Sequence, residues 1–286
     1  MRPFMVAGGY ASFVRVKWSL VPIVLALVAC RDGHGSKTSG PGPDASAPDA
    51  APQIPGAKPM PVVETDWCTA GLVGLDAETC YWVPPPPAKP TKLLVYLHGI
   101  IPPKHVGSQQ KENVMSAVIN ASRRAGAAAI VPKGIQGVGP TGSKDWWAWP
   151  TSLDAHAQHA AALVTRIDGA KKKLEDGLGA PFAKTYLAGS SNGAYFAVNI
   201  ALRDEIEIDG LGAMSGGAPT TITRKKPLAV YIGYGKYDEP SMKGALALAK
   251  ATQAAGWPTK TAEHPFPHGA KEVYIDEAYE FWNSVP

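Results

Sequence analysis

Residues 185–202 read TYLAGSSNGAYFAVNIAL: a short apolar run enters Gly189-Ser190-Ser191-Asn192-Gly193 and leaves it as a second, longer apolar run. The first run has the density of a buried strand and the second the length and composition of a helix. A serine hydroxyl is a weak nucleophile until its oxygen projects from a sharp turn toward a neighbouring base, and a strand-to-helix reversal provides that turn. Glycines at 189 and 193 remove the Cβ atoms that would clash inside it. Only one frame fits, because Ser190 would need glycines at 188 and 192, where the chain has Ala188 and Asn192. Ser191 is therefore the candidate nucleophile. A chain with 30 glycines can produce a five-residue pattern of this kind by accident, as an ordinary turn. The flanking strand and helix patterns are what give it weight.

Outward from this stretch, the apolar runs are regular. LLVYLHG (93–99), AAAIVP (127–132), TYLAG (185–189), LGAMSG (211–216), LAVYIGYG (228–235) and TAEHPF (261–266) are short and mostly dense in apolar residues rather than alternating. Such runs suit strands buried on both faces of a parallel sheet. Helical patterns separate them at 111–125, 154–174, 194–202, 241–255 and 270–282. Alternation of strand and helix predicts an α/β domain with a doubly wound, mostly parallel sheet and helices on both faces.

In that architecture an acid and a base that serve a serine after a central strand come from loops at the carboxyl ends of later strands, in the order serine, acid, histidine. Of the seven histidines only His264 and His268 follow Ser191. His264 falls inside the last strand pattern, whereas His268, in Pro267-His268-Gly269, falls in the loop after it and is the preferred base. No Asp or Glu occurs between Gly210 and Tyr237, and the first carboxylates past that gap are Asp238 and Glu239. Asp238 is preferred, since its shorter side chain fits the turn that ends the strand. Its other reading is a cap for the following helix.

An acyl-transfer site also needs donors for a developing oxyanion. The backbone N–H of Asn192, at the start of the helix, is one. His98-Gly99, at the end of LLVYLHG, resembles the His-Gly oxyanion loop of α/β-hydrolases, which makes the N–H of Ile100 the second and leaves the His98 side chain a structural role. Together these motifs resemble the α/β-hydrolase superfamily from about Lys92 to Pro286, and more narrowly the secreted esterases of the polyhydroxybutyrate depolymerase and feruloyl esterase kind. The resemblance implies cleavage of small-molecule or polymer esters through an acyl-enzyme, with no metal or organic cofactor. A serine peptidase of the same fold and a non-catalytic envelope binding protein on the same scaffold stay open as alternatives.

Between Gly134 and Ser152 lies GIQGVGPTGSKDWWAWPTS, which follows the strand 127–132 and so emerges at the same end of the sheet as Ser191. Long loops in compact domains are commonly functional. Trp146, Trp147 and Trp149 are expected either to wall a substrate pocket or to cover the sheet edge. His156 and His159, three apart without a third ligand nearby, read as solvated residues of a helix face.

The N-terminus has a different character. Arg2, Arg15 and Lys17 precede an apolar run from Trp18 to Ala29, too short for a comfortable membrane span and typical of an export signal over residues 1–29. Leu27-Val28-Ala29-Cys30 resembles the lipobox of bacterial lipoproteins, which implies cleavage before Cys30, lipidation of that cysteine and a membrane-anchored place in a bacterial envelope. The alternative is a plain signal peptide, an unmodified Cys30 and a secreted protein. Removing the three basic residues of this segment from the 28 in the chain leaves 25 against 24 acidic ones, so the formal net charge of +4 gives no case for nucleic acid. Residues 30–61, rich in Pro, Ala, Gly and Ser, read as a disordered tether. The domain then spans 62–286, beginning with a hairpin over 62–83 closed by a Cys68–Cys80 disulfide, the pairing favoured in an oxidising compartment.

Overall fold

Eight strands and five helices follow one another in the computed structural model, which describes residues 59–103 and 106–286. The strands are β1 (Val73–Asp76), β2 (Thr79–Trp82), β3 (Lys92–Leu97), β4 (Ala128–Pro132), β5 (Lys184–Ser190), β6 (Gly210–Met214), β7 (Ala229–Gly235) and β8 (Thr259–His264). The helices are α1 (Val106–Ala125), α2 (Leu153–Leu178), α3 (Asn192–Leu202), α4 (Glu239–Ala254) and α5 (Glu272–Ser284). The expected signal segment, Cys30 and the expected tether up to residue 58 lie outside the described residues.

All eight strands join one sheet in the order β1-β2-β4-β3-β5-β6-β7-β8. Every pairing from β4 to β8 is parallel, with β3 and β5 in register from Lys92↔Lys184 to Leu97↔Gly189. The order reverses between β3 and β5, the kind of crevice at which open α/β sheets place their ligands. The elbow at the end of β5 therefore lies mid-sheet, flanked by the ends of β3 and β6.

Strand side chains alternate between two cores. Leu93, Val95, Leu97, Leu187, Leu211, Val230 and Ile232 face α2, α3 and α4, while Leu94, Tyr96, Tyr186, Ala188 and Tyr231 face α1 and α5. Burial on both faces is the reason the strands read as dense rather than alternating runs. Arg124 of α1 ties the two helices of the second face together, pairing with Glu272 and Asp276 of α5.

The N-terminal hairpin is not a separate unit. β1 and β2 pair antiparallel, and β2 continues antiparallel onto β4 from Thr79↔Pro132 to Trp82↔Ala129, so the hairpin is the edge of the main sheet. Cys68, ahead of β1, is bonded to Cys80 in β2, with Cα atoms 5.5 Å apart. Closing a loop of that size stabilises a chain by about 3 kcal/mol in the chain-entropy account. The domain also begins earlier than the composition suggests. Met60 packs against the first core and the Pro61 carbonyl accepts from the Tyr81 hydroxyl at 3.0 Å, so these two residues belong to the domain rather than to the tether.

Candidate active site

The turn between β5 and α3 holds Ser191 at φ +52° and ψ −123°, a conformation that L residues avoid and that costs energy unless the surroundings enforce it. Enforcement is visible. The Ser191 N–H donates to the Met214 carbonyl at 2.9 Å, and a Cβ on Gly189 would stand 2.6 Å from the Gly193 carbonyl carbon. A Cβ on Gly193 would run into the Leu97 and His98 carbonyls. Both glycines of the motif are thus required by contact with neighbouring backbone, and the strand and helix can meet only if neither carries a side chain.

His268 lies in the loop between β8 and α5, and its Nε2 is 2.9 Å from Ser191 Oγ. Its Nδ1 is 2.7 Å from Asp238 Oδ2. A carboxylate can only accept, so Nδ1 carries the proton and donates to Asp238, which leaves Nε2 to accept from the serine hydroxyl. Asp238 is 3% exposed and occupies the N-cap position of α4, yet its side chain makes no cap hydrogen bond. Its carboxylate is turned to the imidazole instead. His264, the other histidine after Ser191, pairs with Glu277 at 3.0 Å and stacks on Phe266, away from the serine.

Two further serines hold this arrangement, and the sequence reading missed both. Ser241 Oγ is 3.1 Å from His268 Nδ1 and the residue is buried, one helical turn beyond Asp238 in α4. Ser215 donates to the Gly269 carbonyl at 2.9 Å and so ties the loop after β6 to the loop that carries His268. The spacing Asp238-x-x-Ser241 at a helix start is the one signal that could have found Ser241. Ser215 left none, because its partner is a backbone atom 54 residues away.

On the other side of Ser191 stands the loop after β3. Gly99 and Ile100 line the cavity that Ser191 opens onto, and the Gln110 side chain donates to the Ile100 carbonyl at 2.9 Å. Asn192 is the first residue of α3, where no preceding turn supplies an acceptor for its N–H. Ile100 and Asn192, the two residues whose amides the sequence points to as oxyanion donors, thus lie next to Ser191, one on the cavity wall and the other directly after it in the chain.

His98 anchors the same loop. It is fully buried; the Gly134 N–H donates to its Nε2 at 2.9 Å, and its Nδ1 donates to the Gly99 carbonyl. Burial pulls its pKa down to about 4, so the ring is neutral at pH 7. The Asn192 side chain clamps Trp149 from the elbow, its Oδ1 accepting from the Trp149 N–H at 2.6 Å and its Nδ2 donating to the Trp149 carbonyl at 3.1 Å.

The three tryptophans separate. Trp146 alone lines the cavity. Trp147 is bridged to Ile101 by backbone bonds of 2.8 and 2.9 Å, and its ring lies under the Lys133 ammonium at 3.9 Å. Trp149 is fully buried, stacked on Phe196 and bonded through Nε1 to the His98 carbonyl at 2.9 Å. Of the two readings of these residues, a pocket wall or a cover for the sheet edge, neither holds for all three: one indole faces the cavity and the other two brace the loop, which short bridges to Ile101 and Ile135 pin. His156 also departs from expectation. It is buried, within 2.9 Å of Glu205 and edge-on to Phe196.

No family model and no curated protein matches the chain. Solved structures do. The crystal structure of esterase PE8 aligns at 20% identity with a TM-score of 0.50, over 69% of this chain and 94% of that one. YahD, solved with malic acid, aligns at 13% identity with a TM-score of 0.52, over 73% of this chain and 99% of that one. An uncharacterised protein from Bacillus cereus ATCC 10987 aligns at 14% identity with a TM-score of 0.50, over 71% of this chain and 63% of that one. Such identities speak to the fold alone: an α/β domain with a mostly parallel sheet and helices on both faces.

Proposed function

We propose that this chain is a serine hydrolase that cleaves carboxylic esters through an acyl-enzyme. The observation that carries this reading is the relay of 2.9 Å from Ser191 Oγ to His268 Nε2 and 2.7 Å from His268 Nδ1 to Asp238, built on a strained elbow. Structural strain and a buried carboxylate both cost stability, and a site that keeps them is one where chemistry is the return. In the first half-reaction Ser191 Oγ attacks the ester carbonyl while its proton passes to His268 Nε2. Asp238 holds the ring in the needed tautomer and stabilises the imidazolium. The carbonyl oxygen becomes an alkoxide held by the Ile100 and Asn192 N–H groups. Collapse of the tetrahedral adduct breaks the bond to the alcohol oxygen, which takes the proton from Nε2 and leaves. Water then repeats the sequence on the acyl-serine, returning the free acid and the serine hydroxyl.

The N-terminal segment adds a place. An export signal ahead of Leu27-Val28-Ala29-Cys30 supports lipidation of Cys30 and tethering of the domain to a bacterial envelope membrane. The Cys68–Cys80 disulfide suits the oxidising compartment that export would reach. Labelling with a radioactive fatty acid tests the anchor, since Cys30→Ser should abolish incorporation.

A panel of 4-nitrophenyl esters of graded acyl length tests the chemistry, with matched 4-nitroanilides beside them. Ester turnover that vanishes in Ser191→Ala is expected. Faster turnover of the anilides would favour the peptidase, and an inert wild-type protein the binding module.

A further inference from the structure

Ser191 opens onto a cavity of about 570 Å³, and the groups around it divide by chemistry. On the side of α1 the lining presents the amides of Gln109, Gln110 and Asn113; beyond His268 it runs through Gly269 and Ala270 to Lys271. Lys271 is the one lysine or arginine among the lining residues, and no carboxylate is among them. The ammonium lies 5.6 Å from the Phe266 ring centroid. None of the ion pairs among the described residues involves it.

The position of that cation relative to the chemistry is informative. In ester cleavage the departing oxygen must lie against His268 Nε2, because that nitrogen gives it the proton. The wall that continues from His268 therefore faces the alcohol half of the substrate. A lysine on the wall of a concave site, with no carboxylate among the lining residues to neutralise it, raises the local concentration of anions and lowers the energy of one that its ammonium reaches. Amide groups on the opposite wall tolerate a polar ligand, while Ile100, Val114 and Trp146 beside them supply apolar surface for its uncharged part.

Resting on the ester-hydrolase reading of this site, we infer that it selects esters whose alcohol half carries a carboxylate, with Lys271 as the counter-ion. Selection acts when the substrate docks, before any bond changes, and the carboxylate leaves with the alcohol.

A matched pair of substrates tests this: 3-acetoxybenzoate and 3-acetoxybenzamide share the acetyl group and differ in charge at one position of the leaving phenol. The wild-type protein is expected to prefer the anionic ester in kcat/KM by about fivefold at low salt, the effect of one partly solvated ion pair. That ratio should fall toward one in roughly 1 M NaCl, where the screening length is about 3 Å. Lys271→Met should bring the ratio near one, and Lys271→Glu should invert it. A wild-type ratio near one, or a preference that both substitutions leave intact, would overturn the inference while the hydrolase reading stands. Turnover of neither ester would contradict the hydrolase reading and the selectivity with it.

Discussion

His98 and His268 lie in loops at the same end of the sheet, and the loops of both reach Ser191, but their surroundings give the two rings opposite characters. Main-chain groups occupy both nitrogens of His98, and the ring is sealed between Trp67 and Trp149 at centroid distances of 5.0 and 5.3 Å. His268 keeps half of its side chain exposed and spends its nitrogens on an acid and a serine. One ring is a strut that fixes where Gly99 and Ile100 stand. The other, in the proposed mechanism, carries the proton between serine and leaving group. A histidine in a site is identified by what its nitrogens are bonded to.

The largest effect expected from that difference is on turnover. His268→Gln should lower kcat on a short ester by about a thousandfold or more, the loss typical of removing one member of such a relay. The same assay on His98→Gln should retain most of the wild-type rate; equal losses in the two variants would erase the distinction.

His98 should instead reveal itself in stability against pH. Its folded pKa, near 4, lies below the ordinary value of 6.5, so the unfolded chain binds more protons between those values and stability rises with pH there. The contribution is complete above pH 6.5 and is lost as pH falls toward 4, about 3 kcal/mol at 1.36 kcal/mol per pKa unit. Urea unfolding of wild type and His98→Gln at several pH values checks this, and the variant should show a flatter slope in that window.

A smaller effect is expected at the elbow itself. Asn192→Ala deletes both side-chain bonds to Trp149 and leaves its buried backbone groups without partners, so it should cost about 2 kcal/mol in the same unfolding experiment. Smallest is Ser241→Ala, which removes one contact to Nδ1 while Asp238 remains. It should lower kcat by about threefold, the scale of a single neutral hydrogen bond, and leave KM unchanged.

Much of the fold was open to reading because strands β3 to β7 are buried on both faces and cannot hide their composition. The relay was readable for a related reason: chain order, with a carboxylate-free stretch from Gly210 to Tyr237, left few candidates. What escaped was whatever depends on partners distant in sequence. β1 and β2 are four residues each, too short to announce that they extend the main sheet rather than form a hairpin of their own. Trp149 gave no sign that its indole points into the core, because the groups that hold it there, the Asn192 side chain, the His98 carbonyl and the Phe196 ring, are distant in sequence. His156, taken as solvated, is covered by Phe196 and Glu205, which belong to α3 and the segment after it.

In the proposed mechanism Ser191 is the activated hydroxyl of this protein. Reaction of the folded protein with a fluorophosphonate probe, followed by intact-mass measurement and peptide mapping, tests it most directly. One adduct per chain, on Ser191, is expected, lost in Ser191→Ala and strongly slowed in His268→Gln. An adduct on another residue, or none while the protein is folded, would contradict the account.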